Sequence, residues 1–96
     1  MRKTRPAAVM SVDAVGRLPL RIVALITDWK PHYADLPWIV HLPPDASNGL
    51  TKDSGADGFQ IKSVPGDRFT PRLGALNDDQ VANIAGAIAL CIGFVP

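Results

Sequence analysis

The stretch LPLRIVALIT at positions 18–27 constrains the fold more than any other. Leu20, Ile22, Val23, Ala24, Leu25 and Ile26 are apolar and mostly branched, interrupted only by Arg21. Pro19 and Pro31 bound the run too closely for a helix, so it predicts a strand buried on both faces. The strand stops on a hydroxyl, Thr27, ahead of the polar turn Asp28, Trp29, Lys30 and Pro31. A rigid strand that presents a polar group at its tip is a good place to build a site. On this stretch alone the simpler account is that Thr27 ends the strand through its own side-chain hydrogen bond.

The remaining signals favour many short strands. With 96 residues the chain makes one domain with one core. Its nine prolines and eight glycines imply frequent turns and a β-rich fold. A formal charge of +1 gives no global field for nucleic acid, so any anion must be bound by a local cluster. All nine acids are Asp, which excludes glutamate from any catalytic role here. The single cysteine, Cys91, permits no internal disulfide and reads as a small core residue in a reducing cytosol. Pro6 and Asp13 break the N-terminal apolar segment before it reaches signal-peptide length. The uncharged run at 81–96 falls short of the ~20 residues a membrane span needs. A soluble, cytoplasmic protein is therefore expected.

In chain order, a basic tail precedes a first strand at 6–11, and a turn leads to the central strand. The loop at 28–37 carries Trp29, His32 and Tyr33 beside Lys30. Such aromatics either stack unpaired bases, with the cation taking a phosphate, or cap the end of a barrel. A strand at 38–42 places Trp38, Val40 and Leu42 on one face and Ile39 and His41 on the other, which makes His41 a solvent-facing residue. His32 and His41 lack metal-ligand spacing, so no metal is assigned. Asn48-Gly49 signals a turn. A strand follows at 55–64, with Gln60 and Lys62 on one face and Gly58 marking a bulge or a close approach. Lys62, Arg68 and Arg72 form the densest basic neighbourhood. Asn77 and Gln80 form a capping box, and Asp78 and Asp79 suit the positive end of a helix over 77–92. Leu76 and Val81 are placed for a hydrophobic staple. The apolar stripe is Val81, Ile84, Ala85, Ile88 and Ile92. The opposite face, Asn83, Gly86, Ala87 and Leu90, is small rather than charged, which suits a second covered surface.

Five segments in order resemble one family. Arg5 to Ser11 (RPAAVMS) is similar to the R-P-x-V-V-x-S entry of the MazF/PemK toxins, and Val23 to Thr27 (VALIT) to their V-x-P/A-I-T strand. GLTKDS at 49–54 resembles G-L-x-K-D-S. QIKSV at 60–64 with Asp67-Arg68 resembles Q-I-R-T-V and its trailing D-x-x-R-L. RLGALND at 72–78 resembles the R-x-G-x-L-S/T-x lead into the terminal helix. The resemblance implies a mainly β fold, an SH3-like small β-barrel of the MazF/PemK/CcdB kind with a C-terminal α-helix. It implies a homodimeric toxin of a type II toxin-antitoxin system, silenced by a cognate antitoxin. Such a toxin is a metal-independent, cofactor-free endoribonuclease that cuts single-stranded RNA at short motifs.

Residue by residue, Arg5 matches the family's catalytic arginine and Thr27 its catalytic Ser/Thr. Gln60 matches a site-proximal glutamine, and Lys62, Trp29 and Lys30 are the further candidates for binding RNA. Family members also carry a G-D-I/V-type first strand and a loop with a glutamate ahead of the R-P motif. Residues 1–96 are thus expected to form one domain without that strand, leaving a barrel edge unpaired. A start further upstream would account for this, and so would a degraded or specialised member. The alternative function is a non-catalytic barrel that binds nucleic acid or an antitoxin peptide.

Overall fold

The computed structural model describes residues 6–11, 20–65 and 74–94. The strands are β1 (Ala7–Val9), β2 (Leu20–Asp28), β3 (Ile39–Leu42) and β4 (Ser54–Pro65), followed by one helix, α1 (Asp78–Cys91). All pairings are antiparallel, in the order β1-β2-β4-β3. The expected mainly β architecture is therefore present as a curled four-stranded half-barrel with a C-terminal helix. Arg5, Arg68 and Arg72 lie outside the described residues.

The apolar run becomes β2, an interior strand in which Val23, Ala24 and Ile26 are buried. Ala8, Ala24, Ile26, Leu42, Ala56 and Ile84 form the core, so α1 reaches it chiefly through Ile84. The capping box is present: Gln80 N donates to Asn77 Oδ1 at 2.8 Å, and Asn77 N donates to Gln80 Oε1 at 2.9 Å. Replacing Asn77 by alanine leaves the Gln80 N–H without its side-chain acceptor, and thermal unfolding should show a loss of about 1 kcal/mol.

The helix meets the sheet on a different stripe from the expected one. Ile84 and Ala87 are buried and Ile88 packs on the core, whereas Val81, Ala85 and Ile92 are exposed. The reason is Gly58. A Cβ there would lie 2.8 Å from the Ala87 carbonyl carbon and 2.9 Å from Ile88 N, so the bare glycine lets the helix backbone down onto β4. Ala87, small enough for that approach, takes the buried position. Gly58→Ala must displace backbone rather than a flexible side chain. Chemical denaturation should show a loss of about 2 kcal/mol.

Gly58 also sits in the bulge expected of it. Ala24 pairs with Ile61 but Leu25 with Asp57, so residues 58–60 are extra on β4. The nearly buried Asp57 carboxylate fastens this bulge, accepting from Phe59 N at 2.9 Å and from Gln60 Nε2 at 2.8 Å. Cys91 is half-buried at the end of α1 rather than a core residue. Burial raises its thiol pKa, and the charge of Asp57 raises it further. It is therefore a poor nucleophile.

Candidate functional site

The open end of β2 carries the densest constellation. Gly55 pairs with Thr27 on one side and with His41 on the other, so these three residues form a row across β2, β4 and β3. Directly opposed residues share a face, which puts Thr27 and His41 on the same side of the sheet. A Cβ at Gly55 would lie 3.3 Å from Trp29 Cε3 and 2.9 Å from Ile39 Cγ2, so the indole occupies the space the missing side chain leaves.

Thr27 is half-buried. Among the described residues no hydrogen bond reaches its hydroxyl, and the oxygen is not sealed from solvent. A side-chain bond does not end the strand. The backbone continues pairing instead, with Trp29 N donating to Asp53 O at 3.0 Å. Ile26, the neighbour of Thr27, donates its N–H to the carbonyl of Pro6 at 3.1 Å. The residue that follows Arg5 in sequence is thereby tied beside Thr27.

Past the strand end, the 28–37 loop contains a 3-10 turn at Pro31–Asp35. Trp29 meets Tyr33 edge-on with centroids 5.8 Å apart, and Tyr33 meets His32 edge-on at 4.7 Å. His41 stacks on Trp29 at 4.2 Å, and its Nε2 lies 2.7 Å from Asp53 Oδ1. His41 is exposed as the alternation predicts, yet it is engaged on both counts. Asp28 faces Lys52 at 3.4 Å across an exposed pair of little energetic weight. Asp28 and Asp53 thus each have a basic side chain as partner, Lys52 and His41. Lys30 is exposed and pairs with no described carboxylate.

Thr27, Trp29 and Lys30 fall together at this end. Lys62 and Gln60 do not join them. Lys62 pairs with Val23, on the same face as Thr27 but about 13 Å away along the strand. Gln60 stands on the bulge, with its amide held by Asp57. These candidates are therefore spread along β2 and β4 rather than gathered in a single pocket. Among the described residues no three His, Cys, Asp or Glu converge as a metal-ligand set. No described helix is long and apolar enough to cross a membrane.

The family of PemK-like, MazF-like toxins of type II toxin-antitoxin systems matches residues 1–92. The chain belongs to this family. Its fold is similar to that of the Mycobacterium tuberculosis toxin MazF-mt6, with TM-score 0.80 and 25% identity over 96% of this chain and 89% of that one. A MazE–MazF structure from Deinococcus radiodurans matches with TM-score 0.73 and 25% identity, over 95% of this chain and 84% of that one. A mycobacterial endoribonuclease solved with its cognate antitoxin has TM-score 0.80 over 96% of this chain and 84% of that one; at 18% identity this is a likeness of fold alone. No curated protein matches the sequence. The five segments that resemble MazF/PemK all fall within the matched span.

Asp53, Gly55 and Asp57 carry no sequence signal for a role at the site, and His41 reads from the strand alternation as a surface residue. Asp53 was visible only as part of the GLTKDS landmark. Nothing in the local sequence pairs it with His41, twelve residues earlier.

Proposed function

We propose that this MazF/PemK chain is the endoribonuclease of its toxin-antitoxin system, cutting single-stranded RNA at short sequence motifs without a metal ion. The observation that carries the reading is Thr27: a half-buried, solvent-reachable hydroxyl at a rigid strand end, with no bond to spend it on among the described residues. In metal-free cleavage the RNA 2′-OH attacks the adjacent phosphorus and the 5′-oxygen leaves, through a phosphorane that carries extra negative charge. Thr27 would hydrogen-bond the scissile phosphate and hold it in line. Arg5, always protonated and able to offer two donors at once, would stabilise the phosphorane. Trp29 and Lys30 would hold the RNA beside the scissile bond, and Gln60 and Lys62 would extend the track along β4. Neither Arg5 nor Thr27 is a general base, and that role is not assigned.

The chain would act in the cytoplasm as a homodimer, held silent by a cognate antitoxin. Support for association comes from exposed apolar side chains: Leu90, Ile92 and Phe94 at the end of α1, and Phe59 on the bulge. An open apolar groove lined by Pro37, Trp38, Phe59, Leu90 and Cys91 runs beside them. The purified chain, incubated with single-stranded RNA in excess EDTA, should cut it at a restricted set of sites. Intact RNA from a folded protein would refute the reading.

A further inference from the structure

Asp53 holds the Trp29–His41 pair twice. Its carbonyl accepts the Trp29 N–H at 3.0 Å, and its carboxylate lies 2.7 Å from His41 Nε2. The imidazole stacks on the indole with centroids 4.2 Å apart and planes 25° from parallel. Gly55 completes the arrangement, because any side chain there would press on the indole. Trp29 is half-buried, and a tryptophan left free at a loop start would pay to be ordered on binding. Here the backbone at Trp29 is pinned by a hydrogen bond, and the ring rests against a stacked imidazole and the Gly55 backbone. The His41 and Asp53 side chains remain 45% and 51% exposed, so the assembly is open to a ligand rather than buried as core.

We propose that Trp29 and His41 form a preorganised platform on which one nucleobase stacks next to the phosphate at Thr27, with His41, tethered by Asp53, as the residue that positions the indole. This rests on the reading of the chain as an RNA-cleaving toxin. It goes beyond that reading by adding His41 and Asp53 to the site and giving Trp29 a fixed orientation. Gly55 separates Thr27 from His41 by two strand spacings, about 10 Å, which places the platform within a nucleotide's reach of the hydroxyl. The neighbouring Lys30 is free to take the next phosphate.

The test separates binding from cleavage. A fluorescein-labelled single-stranded oligonucleotide of mixed sequence with 2′-deoxy sugars lacks the attacking hydroxyl, so its anisotropy reports binding alone. Trp29→Leu should weaken its binding about 10- to 100-fold, the usual worth of a stacked base. His41→Ala should weaken it about 5-fold, and His41→Phe, which keeps a ring on the indole, should recover most of that loss. On cleavable RNA the same variants should raise KM more than they lower kcat. A merely structural histidine would lower the melting temperature but leave binding by the folded protein unchanged. Unchanged binding in a folded His41→Ala variant overturns the proposal, as does a wild type that does not bind the oligonucleotide. If Trp29→Leu fails to fold, the His41 pair of variants decides alone. Binding that follows this pattern in a protein that cuts no RNA leaves the platform standing and removes the endoribonuclease.

Discussion

Thr27→Ala and Arg5→Ala should each lower the rate of RNA cleavage ~100- to 1000-fold, the usual cost of losing one preorganised donor to a developing oxyanion. The Thr27 change should do so with little loss of stability. Its hydroxyl makes no hydrogen bond among the described residues, so removing it leaves none of them without a partner. Circular dichroism and the melting temperature of Thr27→Ala should therefore match the wild type while its single-turnover rate falls. Arg5→Lys should also fail badly, because a point-charge ammonium cannot reproduce the two parallel donors of a planar guanidinium. Cleavage by Thr27→Ala at the wild-type rate would move the chemistry away from the β2 tip.

Asn48→Ala should have the largest effect on stability. Asn48 is 5% exposed, and its side chain satisfies three backbone groups in the loop between β3 and β4. Oδ1 accepts from Asp45 N at 3.2 Å and from Leu50 N at 3.0 Å, and Nδ2 donates to the Pro43 carbonyl at 2.9 Å. The loop in turn receives the lead into α1, since Ala75 N donates to Ser47 O at 2.7 Å. Gly74 is so close to Ser47 O that a Cβ there would clash. Truncating Asn48 leaves partly buried donors and an acceptor unpaired, each costing about 1–3 kcal/mol before water relieves some of the loss. A net loss near 3 kcal/mol, read as a fall in melting temperature of roughly 10–20 °C, is the expected result. A shift of only a degree or two would mean that solvent replaces the Asn48 side chain without cost.

These two sites also mark what was legible in the sequence. The Asn48-Gly49 turn was visible because Gly49 must take a positive φ, 69° in the structure. The Asn77 cap was visible because a capping box is local, spanning a few residues. The central strand and the bulge at Gly58 were likewise written in short patterns. Contacts made only by pairing distant segments were not. Ala87 is buried, against the periodicity of its helix, because a glycine nearly thirty residues earlier admits it. The Trp29–His41–Asp53 cluster exists because β2, β4 and β3 align three separate segments at one sheet end. No spacing rule encodes that register. Thr27 itself was legible as a strand end from its neighbours, and as a candidate catalytic residue only through the resemblance to MazF/PemK.

The central claim is that the β2 tip directs the RNA's own 2′-OH at the adjacent phosphorus. The measurement that tests it most directly is the chemistry of the product ends, made in excess EDTA on a single-stranded RNA the protein cuts. The account predicts a 2′,3′-cyclic phosphate on one fragment and a 5′-hydroxyl on the other, with no cleavage where the sugar at the cut site is 2′-deoxy. A 3′-hydroxyl and a 5′-phosphate, or cleavage that stops when EDTA is added, would contradict it.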